Sequence, residues 1–432
     1  MQIQKNVNIP FVLYYHYFVI ISFTGKQVFM KYTAQEVLQY VQEEDVKFIR
    51  LAFCDVFGTQ KNIAIQPAEL KRAFTWGIPI DASAVPGFYD GVKSDLFLKP
   101  DPTTLCGLPW RPETGKVVRM FCSVTYPDGA PFEADSRALL ARAVEEAKAA
   151  GLTFDIGPEM EFYIFKTDEN GNPTKIPCDE AGYLDIAPED KGENLRREIC
   201  LTLEQMGIQP EASYHEVGPG QNEIDFRYSD PVSAADNAVT FKAVVQTIAG
   251  RNGFAADFSP KPLEDQPGSG FHINFSIGDR KDKALLDRAL AGILERIADC
   301  TLFFNASEES YRRLGGCKAP KYVSWSAENR SQLIRIPATP QGHFRAELRS
   351  ADPAANPYLA FALLIYSCLY GIRAELDLCG PADMDLYTAP QDVLAAFEKL
   401  PETLEAAKEK AASSEFIRLC IPEPILNAYL NR

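Results

Sequence analysis

Between residues 157 and 165 (GPEMEFYIF) polar and apolar positions alternate. In an extended strand that period puts Glu159 and Glu161 on one face and turns Met160, Phe162 and Ile164 the other way, toward a core. Strand rise separates the two carboxylates by about 7 Å, close enough to repel unless a positive charge lies between them. A divalent metal is the usual answer, although acidic strand faces are also common where they are merely solvated. The pair gains meaning only if other parts of the chain bring partners to it.

The same two-residue rhythm recurs further along. Residues 215–223 (HEVGPGQNE) read as a strand, a Gly-Pro-Gly turn and a second strand over 223–228, a hairpin that brings Glu216 toward Glu223. In 271–276 (FHINFS) His272, Asn274 and Ser276 share a face, and in 344–349 (FRAELR) Arg345, Glu347 and Arg349 do. Taken singly, these are equally well a satisfied core histidine and a surface ion pair. Together, five glutamates and one histidine suit two hard divalent cations of the Mg²⁺ or Mn²⁺ type. Arg313, Arg330, Arg335 and Arg349 add guanidinium forks that match carboxylate and phosphate oxygens. Two metals and several arginines are what phosphoryl transfer needs, because charge and position stabilise its transition state. The chain has no Walker A loop and no kinase signature, so any nucleotide site is of another kind.

Helical periodicity fills the intervals. Residues 33–43 (TAQEVLQYVQE) predict a helix capped by Thr33, with Glu36 at the capping-box position. Strands follow at 46–53 and 61–65, then a Pro-, Gly- and Asp-rich stretch to 132 with short strand-like pieces, in which Asp81 sits on a loop. This first part reads as a small α+β domain. Residues 134–150 predict a helix stopped by Gly151 and open a second domain. Further helices are expected at 194–206, 232–249, 282–304 and 391–410, and 357–377 reads as a buried helix rather than a membrane span. The predicted division is an atypical extension over 1–29, a first domain over 30–131 and a second over 132–432.

The apolar run at 9–23 (IPFVLYYHYFVIISF) is too short and interrupted for a membrane span and lacks the leader and cleavage site of a signal peptide. Residues 1–29 therefore read as an over-extended start or an ancillary tail. A formal charge of −15 without a Lys/Arg cluster argues against nucleic-acid and anionic-membrane partners. Ten cysteines scattered singly, without CxxC pairs, fit reduced thiols and a cytoplasmic location.

GPEMEF, HEVGPGQNE, SPKPL, GSGFH, SYRRL, NRSQLIRIP and FRAELRSADPAANPYL, in that order, resemble the signatures of bacterial type I glutamine synthetase. The resemblance runs from Met30 to the C-terminus. It implies a β-grasp N-terminal domain, and a larger catalytic domain whose curved antiparallel sheet is packed by helices. It also implies a double-ring dodecamer with active sites between neighbouring subunits. The implied reaction is ATP-dependent formation of γ-glutamyl phosphate, then attack by ammonia. By position, Glu161, Glu216 and Glu223 match the ligands of one metal, and Glu159, His272 and Glu347 those of a second that bridges the ATP phosphates. Arg313 and Arg349 match glutamate-binding arginines, with Gly268 meeting the amino acid through its backbone. Arg330 and Arg335 match arginines that act on the transferring phosphate. Glu211, Tyr228 and Ser276 fall near the nucleotide, and Asp81 matches an aspartate that reaches a neighbour's site and helps bind ammonium.

Three departures cluster around the second substrate. Asp81 lies in DASA where the family has DGSS, and Pro267 replaces an asparagine. Residues 316–320 (GCKAP) stand where the family has GYEAP, so Lys318 replaces a flap glutamate that helps take a proton from ammonium. A protonated lysine repels a cation, whereas one neutralised by burial could serve as a base. Three readings follow: a glutamate–ammonia ligase with altered flap chemistry, a γ-glutamyl ligase using another amine, or a non-catalytic paralogue. Residues 385–390 match the family's adenylylated tyrosine loop only loosely.

Overall fold

The computed structural model describes residues 19–21, 27–29, 32–88, 94–111, 114–278, 281–316, 318–339 and 343–432. Most of the apolar run at 9–23 lies outside this set, as does Cys317. Val19–Ile21 (β1) and Gln27–Phe29 (β2) form an antiparallel ladder of their own. Helix α1 (Ala34–Glu43) begins as predicted: the Thr33 side chain accepts from the Glu36 amide while the Glu36 carboxylate accepts from the Thr33 amide.

The first sheet is built from β3 (Phe48–Cys54), β4 (Gln60–Ile65), β5 (Ile78–Asp81), β6 (Asp95–Pro100), β7 (Cys106–Gly107) and β8 (Val117–Thr125), in the order β4-β3-β8-β6-β5 with β7 on β8. Its central pair, β3 and β8, is parallel, and the other pairs are antiparallel. Helix α2 (Leu70–Trp76) packs against β6.

Helix α3 (Ser136–Ala149), capped by Asp135, leads into the second sheet. Its spine is β9 (Phe154–Thr167), which alternates as expected: Met160, Phe162 and Ile164 are buried among apolar neighbours. Then come β10 (Pro173–Pro177), α4 (Glu193–Gln205), β11 (Pro210–His215), β12 (Gln221–Phe226), α5 (Pro231–Arg251), β13 (Phe254–Asp257) and β14 (Phe271–Ile277). Helices α6 (Lys283–Phe304) and α7 (Glu308–Arg313) precede β15 (Trp325–Ala327), β16 (Ile334–Ile336) and β17 (Ala346–Leu348). The sheet order is β11-β12-β9-β14-β17-β16-β15, with β10 and β13 also on β9. Every pair is antiparallel except β15 with β16.

Helix α8 (Pro357–Arg373) is buried along most of its length, as its apolar sequence predicts, and crosses α6 at very short range. Gly292 and Gly371 make that crossing possible. A Cβ on Gly292 would stand 2.2 Å from the Ser367 carbonyl, and one on Gly371 2.2 Å from the Arg288 carbonyl. The expected single helix over 391–410 is instead two, α9 (Gln391–Leu394) and α10 (Leu404–Ser413). Pro401 lacks an amide to continue the ladder, and Thr403 caps a fresh start. Helix α8 likewise ends at Arg373 rather than 377, where Glu375 adopts φ +51. Helices α11 (Glu415–Cys420) and α12 (Glu423–Leu430) close the chain. No helix among the described residues is long and apolar enough to cross a membrane.

Candidate active site

Strand register assembles the predicted acidic residues into one band across the second sheet. Glu161 on β9 lies opposite Glu223 on β12, and Glu159 lies between Asp225 on β12 and His272 on β14. Glu347 on β17 lies opposite Asn274 on β14 and Arg335 on β16. Glu216 joins from the turn after β11, where its amide closes the hairpin on the Gln221 carbonyl. The result is two clusters. In Glu161, Glu216 and Glu223, and again in Glu159, His272 and Glu347, one potential ligand atom from each residue lies within 4.8 Å of the others.

In the first cluster each carboxylate has one oxygen tied to protein donors. Glu161 Oε2 accepts from the Gly270 amide at 2.7 Å and Gln221 Nε2 at 3.0 Å. Glu223 Oε1 accepts from the Tyr214 hydroxyl at 2.6 Å, and Glu216 Oε2 from the Val217 amide at 2.9 Å. Burial pushes the Glu161 carboxyl up, and the Glu216 charge adds to the rise. Burial, then Glu161 and Asp225, push Glu223 well above the ordinary carboxylate range. Three buried acids set against each other in this way suit a dication, which favours the charged forms of Glu161 and Glu223.

The second cluster combines two carboxylates with an imidazole. His272 Nδ1 lies 3.6 Å from Glu347 Oε1 and 3.7 Å from Glu159 Oε2. Burial, and then the Arg349 charge, drive the His272 pKa well below its ordinary value, so the ring is neutral and able to ligate. Glu159 Oε1 accepts from Asn274 Nδ2 at 2.7 Å. Both donor sets, hard oxygens with at most one imidazole, fit Mg²⁺ or Mn²⁺.

Arginines line the same face. Arg335 donates to Glu347 Oε2 at 2.8 Å, while its buried Nε has no partner among the described residues. Arg349 is buried, bridges to Glu347 Oε1 and donates from Nε to the Arg330 carbonyl at 3.2 Å. Arg330 is exposed, and its charge reaches both Glu159 and His272. Arg313, at the end of α7, is 3 % exposed and donates only to the Ser350 and Arg349 carbonyls among the described residues. The Asp352 and Glu161 charges act on it, but it makes no ion pair within 4 Å among the described residues, so its fork can still take an anion. Gly268 passes so close that a Cβ there would stand 2.7 Å from Arg313 Cγ and 2.5 Å from the Pro260 carbonyl, so only glycine brings backbone to this point.

Other expected residues stand farther out. Tyr228 lays its ring over Gly157, where a Cβ would come within 2.7 Å of ring carbons. The buried Ser276 hydroxyl has no partner among the described residues, and Glu211 is exposed on the edge strand β11. Asp81 is not brought to the clusters within this chain. It ends β5 on the first sheet, exposed, with its carboxylate accepting from the Ser83 amide and hydroxyl. Among the described residues no hydrogen bond or ion pair links it to the second sheet.

Matches to known proteins cover nearly the whole chain. Family models for the β-grasp domain and the catalytic domain of glutamine synthetase match residues 45–127 and 133–432. The chain belongs to the glutamine synthetase family. Glutamine synthetase of Methanosarcina mazei is 43% identical over 413 residues, covering 92% of each chain. That of Clostridium saccharobutylicum is 41% identical over 415 residues, 93% of this chain and 94% of the other. Among solved structures, a GmaS/ADP complex superposes with a TM-score of 0.82 at 25% identity, covering 93% of this chain and 94% of that one. The first sheet thus belongs to the family's β-grasp domain and the second to its catalytic domain.

Several site-forming residues were not assigned a role from the sequence. Tyr214, Gln221 and Asn274 each orient a cluster glutamate. Arg345 lowers the Glu159 carboxyl's tendency to hold a proton and keeps a buried Nε without a partner among the described residues. Gln221 and Asn274 sat inside recognised motifs on the correct face, and that was the available signal. Tyr214 precedes the motif and carried none.

Proposed function

We propose that this chain makes glutamine from glutamate, ATP and ammonia through γ-glutamyl phosphate. The carrying observation is the continuous band of five glutamates and a neutral histidine, flanked by arginines, on one face of the second sheet. Glu161, Glu216 and Glu223 hold one divalent cation, and Glu159, His272 and Glu347 the other. Bound there, the ions neutralise phosphate and carboxylate charge during transfer. Arg313, with backbone at Gly268 and with Arg349, takes the glutamate carboxylates. Glu211, Tyr228 and Ser276 border the nucleotide; the ADP complex of the GmaS neighbour supports a nucleotide on this fold.

In the first step a γ-carboxylate oxygen attacks the terminal phosphorus of ATP and the bond to ADP breaks. Arg330 and Arg335 face the charge that develops on the phosphoryl oxygens. In the second step ammonia attacks the acyl carbon, the bond to the phosphate oxygen breaks, and the departing phosphate carries off one proton from the nitrogen. Asp81, exposed and remote from the clusters of its own chain, serves the site of a neighbouring subunit as ammonium ligand in a cytoplasmic homo-oligomer, a dodecamer of two rings. The working division remains an extension over 1–29 and domains over 30–131 and 132–432.

A second reading, another amine in place of ammonia, is favoured by Lys318 in the flap. Purified protein given glutamate, ATP, Mg²⁺ or Mn²⁺ and either ammonia or methylamine separates the two. Phosphate and glutamine release with ammonia is expected; turnover with methylamine alone would transfer the conclusion to the second reading.

A further inference from the structure

Lys318 stands in an unusual place for a surface lysine. Its Nζ lies 3.1 Å from Glu216 Oε2, and its charge also acts on Glu161. Among the described residues it is the one ammonium or guanidinium within 4 Å of the three carboxylates of the first cluster. The Lys318 side chain is 37% exposed, whereas that of Glu216 is 7% exposed. The reach is imposed from both ends. Lys318 holds φ +58, a left-handed conformation that a lysine rarely adopts, and its carbonyl accepts from Arg349 Nη2 at 3.4 Å. The turn around it is closed by the Gly316 amide on the Arg313 carbonyl and the Gly315 amide on the Ala319 carbonyl, each at 3.0 Å. Nζ also sits 4.7 Å from the centre of the Tyr183 ring, a cation–π contact that supports the extended side chain from the other side.

We propose that Lys318 is a tethered cation that competes with the divalent ion of the first cluster for Glu216. Assigning a divalent ion to this cluster is part of the function proposed above, and the inference rests on it. A single positive charge on a carboxylate that must ligate a dication acts in two ways. It draws electron density from Glu216, and it repels the arriving ion from a few ångströms away. Binding of the ion and seating of Lys318 therefore oppose each other, and by reciprocity the bound ion drives Lys318 out of the cluster. The seat of the Lys318 side chain on Glu216 then follows the metal, which places this contact under the control of cation concentration. An anionic flap residue would have the opposite coupling, since it would be drawn toward the ion.

The test is Mn²⁺ binding to the full chain, followed by electron paramagnetic resonance of the free ion, without substrates. Lys318→Met keeps the stem and loses the charge; Lys318→Arg keeps the charge. Glu161→Gln identifies which binding step belongs to the first cluster, because it should remove one ion per chain. Lys318→Met is expected to tighten that step about tenfold, within the range usual for two coupled ligands, and Lys318→Arg to stay within about twofold of wild type. Unchanged or weaker binding in Lys318→Met overturns the competition, and weaker binding assigns Lys318 to orienting Glu216 instead. If Glu161→Gln leaves the stoichiometry intact, the metal assignment of the cluster fails first, and the proposal falls with it.

Discussion

Two groups of charged side chains in this protein, one partly buried and one largely buried, use the same chemistry to opposite ends. One joins the two sheets: Arg137 on α3 donates to Asp236 Oδ2 on α5 at 2.9 Å and to Asp101, just after β6, at 3.0 Å. The Tyr358 hydroxyl of α8 adds a 2.7 Å bond to Asp236 Oδ1. The Asp101–Arg137–Asp236 group is closed, with each charge answered by protein. The other is the acidic band of the active site, where Glu161 and Glu223 face like charges and hold raised pKa values. Arg335 and Arg349 answer Glu347 and Lys318 answers Glu216, but Glu161 and Glu223 have no protein cation within 4 Å among the described residues. A closed network spends its electrostatics on holding the fold together, whereas an open one stores them for ligands.

Substitutions should separate the two groups sharply. Glu161→Gln is expected to lower turnover by about 10²- to 10³-fold or more, because a charge aimed at the transition state is lost. Without metal its thermal stability should equal or exceed wild type, since a buried like-charged acid is relieved. A large loss of metal-free stability in differential scanning calorimetry would erase the contrast.

Arg137→Met should do the reverse. It leaves Asp101 and Asp236 without their cation, at a cost of roughly 3 kcal/mol in denaturant unfolding. A variant with that much activity lost but unfolding unchanged would place Arg137 among the functional groups instead.

The smallest effect concerns acid. Burial alone would raise the Asp101 carboxyl, but bonds from Thr103 and the Arg137 charge outweigh it and hold its pKa below the ordinary value. A carboxylate lowered on folding contributes stability that is present above its unfolded value, about 4, and lost as pH falls through the folded one. Asp101→Asn should therefore cost stability at pH 7 and flatten the wild-type decline below about pH 4. Parallel acid limbs for the two proteins would show that Asp101 takes no part in it.

Much of this was legible along the chain. Alternation put Glu159 and Glu161 on one face of β9, and Thr33 with Glu36 marked the start of α1, because both are consequences of local backbone geometry. Motif resemblance pointed to Glu216, Glu223, His272 and Glu347 as one site, and the fold brings those side chains into the two clusters. The misses came where a local pattern met a non-local cause. The helical periodicity at 391–410 did not weigh Pro401. The contact of Arg349 with Glu347 was likewise not legible, since it is set by the path of its own strand end.

By itself the sequence determined which residue types sit on which face of each strand and helix, since side-chain direction follows from the backbone repeat alone. Tertiary structure decided which of those faces meet. Glu161 opposes Glu223, and Glu159 lies between Asp225 and His272, only because β12, β9 and β14 are paired in one register, and a shift by one residue would turn the acids into the core. The seat of Lys318 on Glu216 belongs to the same class: residues 102 apart meet because the turn after α7 folds back over the hairpin. Local geometry carries no information about a distance of that kind; packing does.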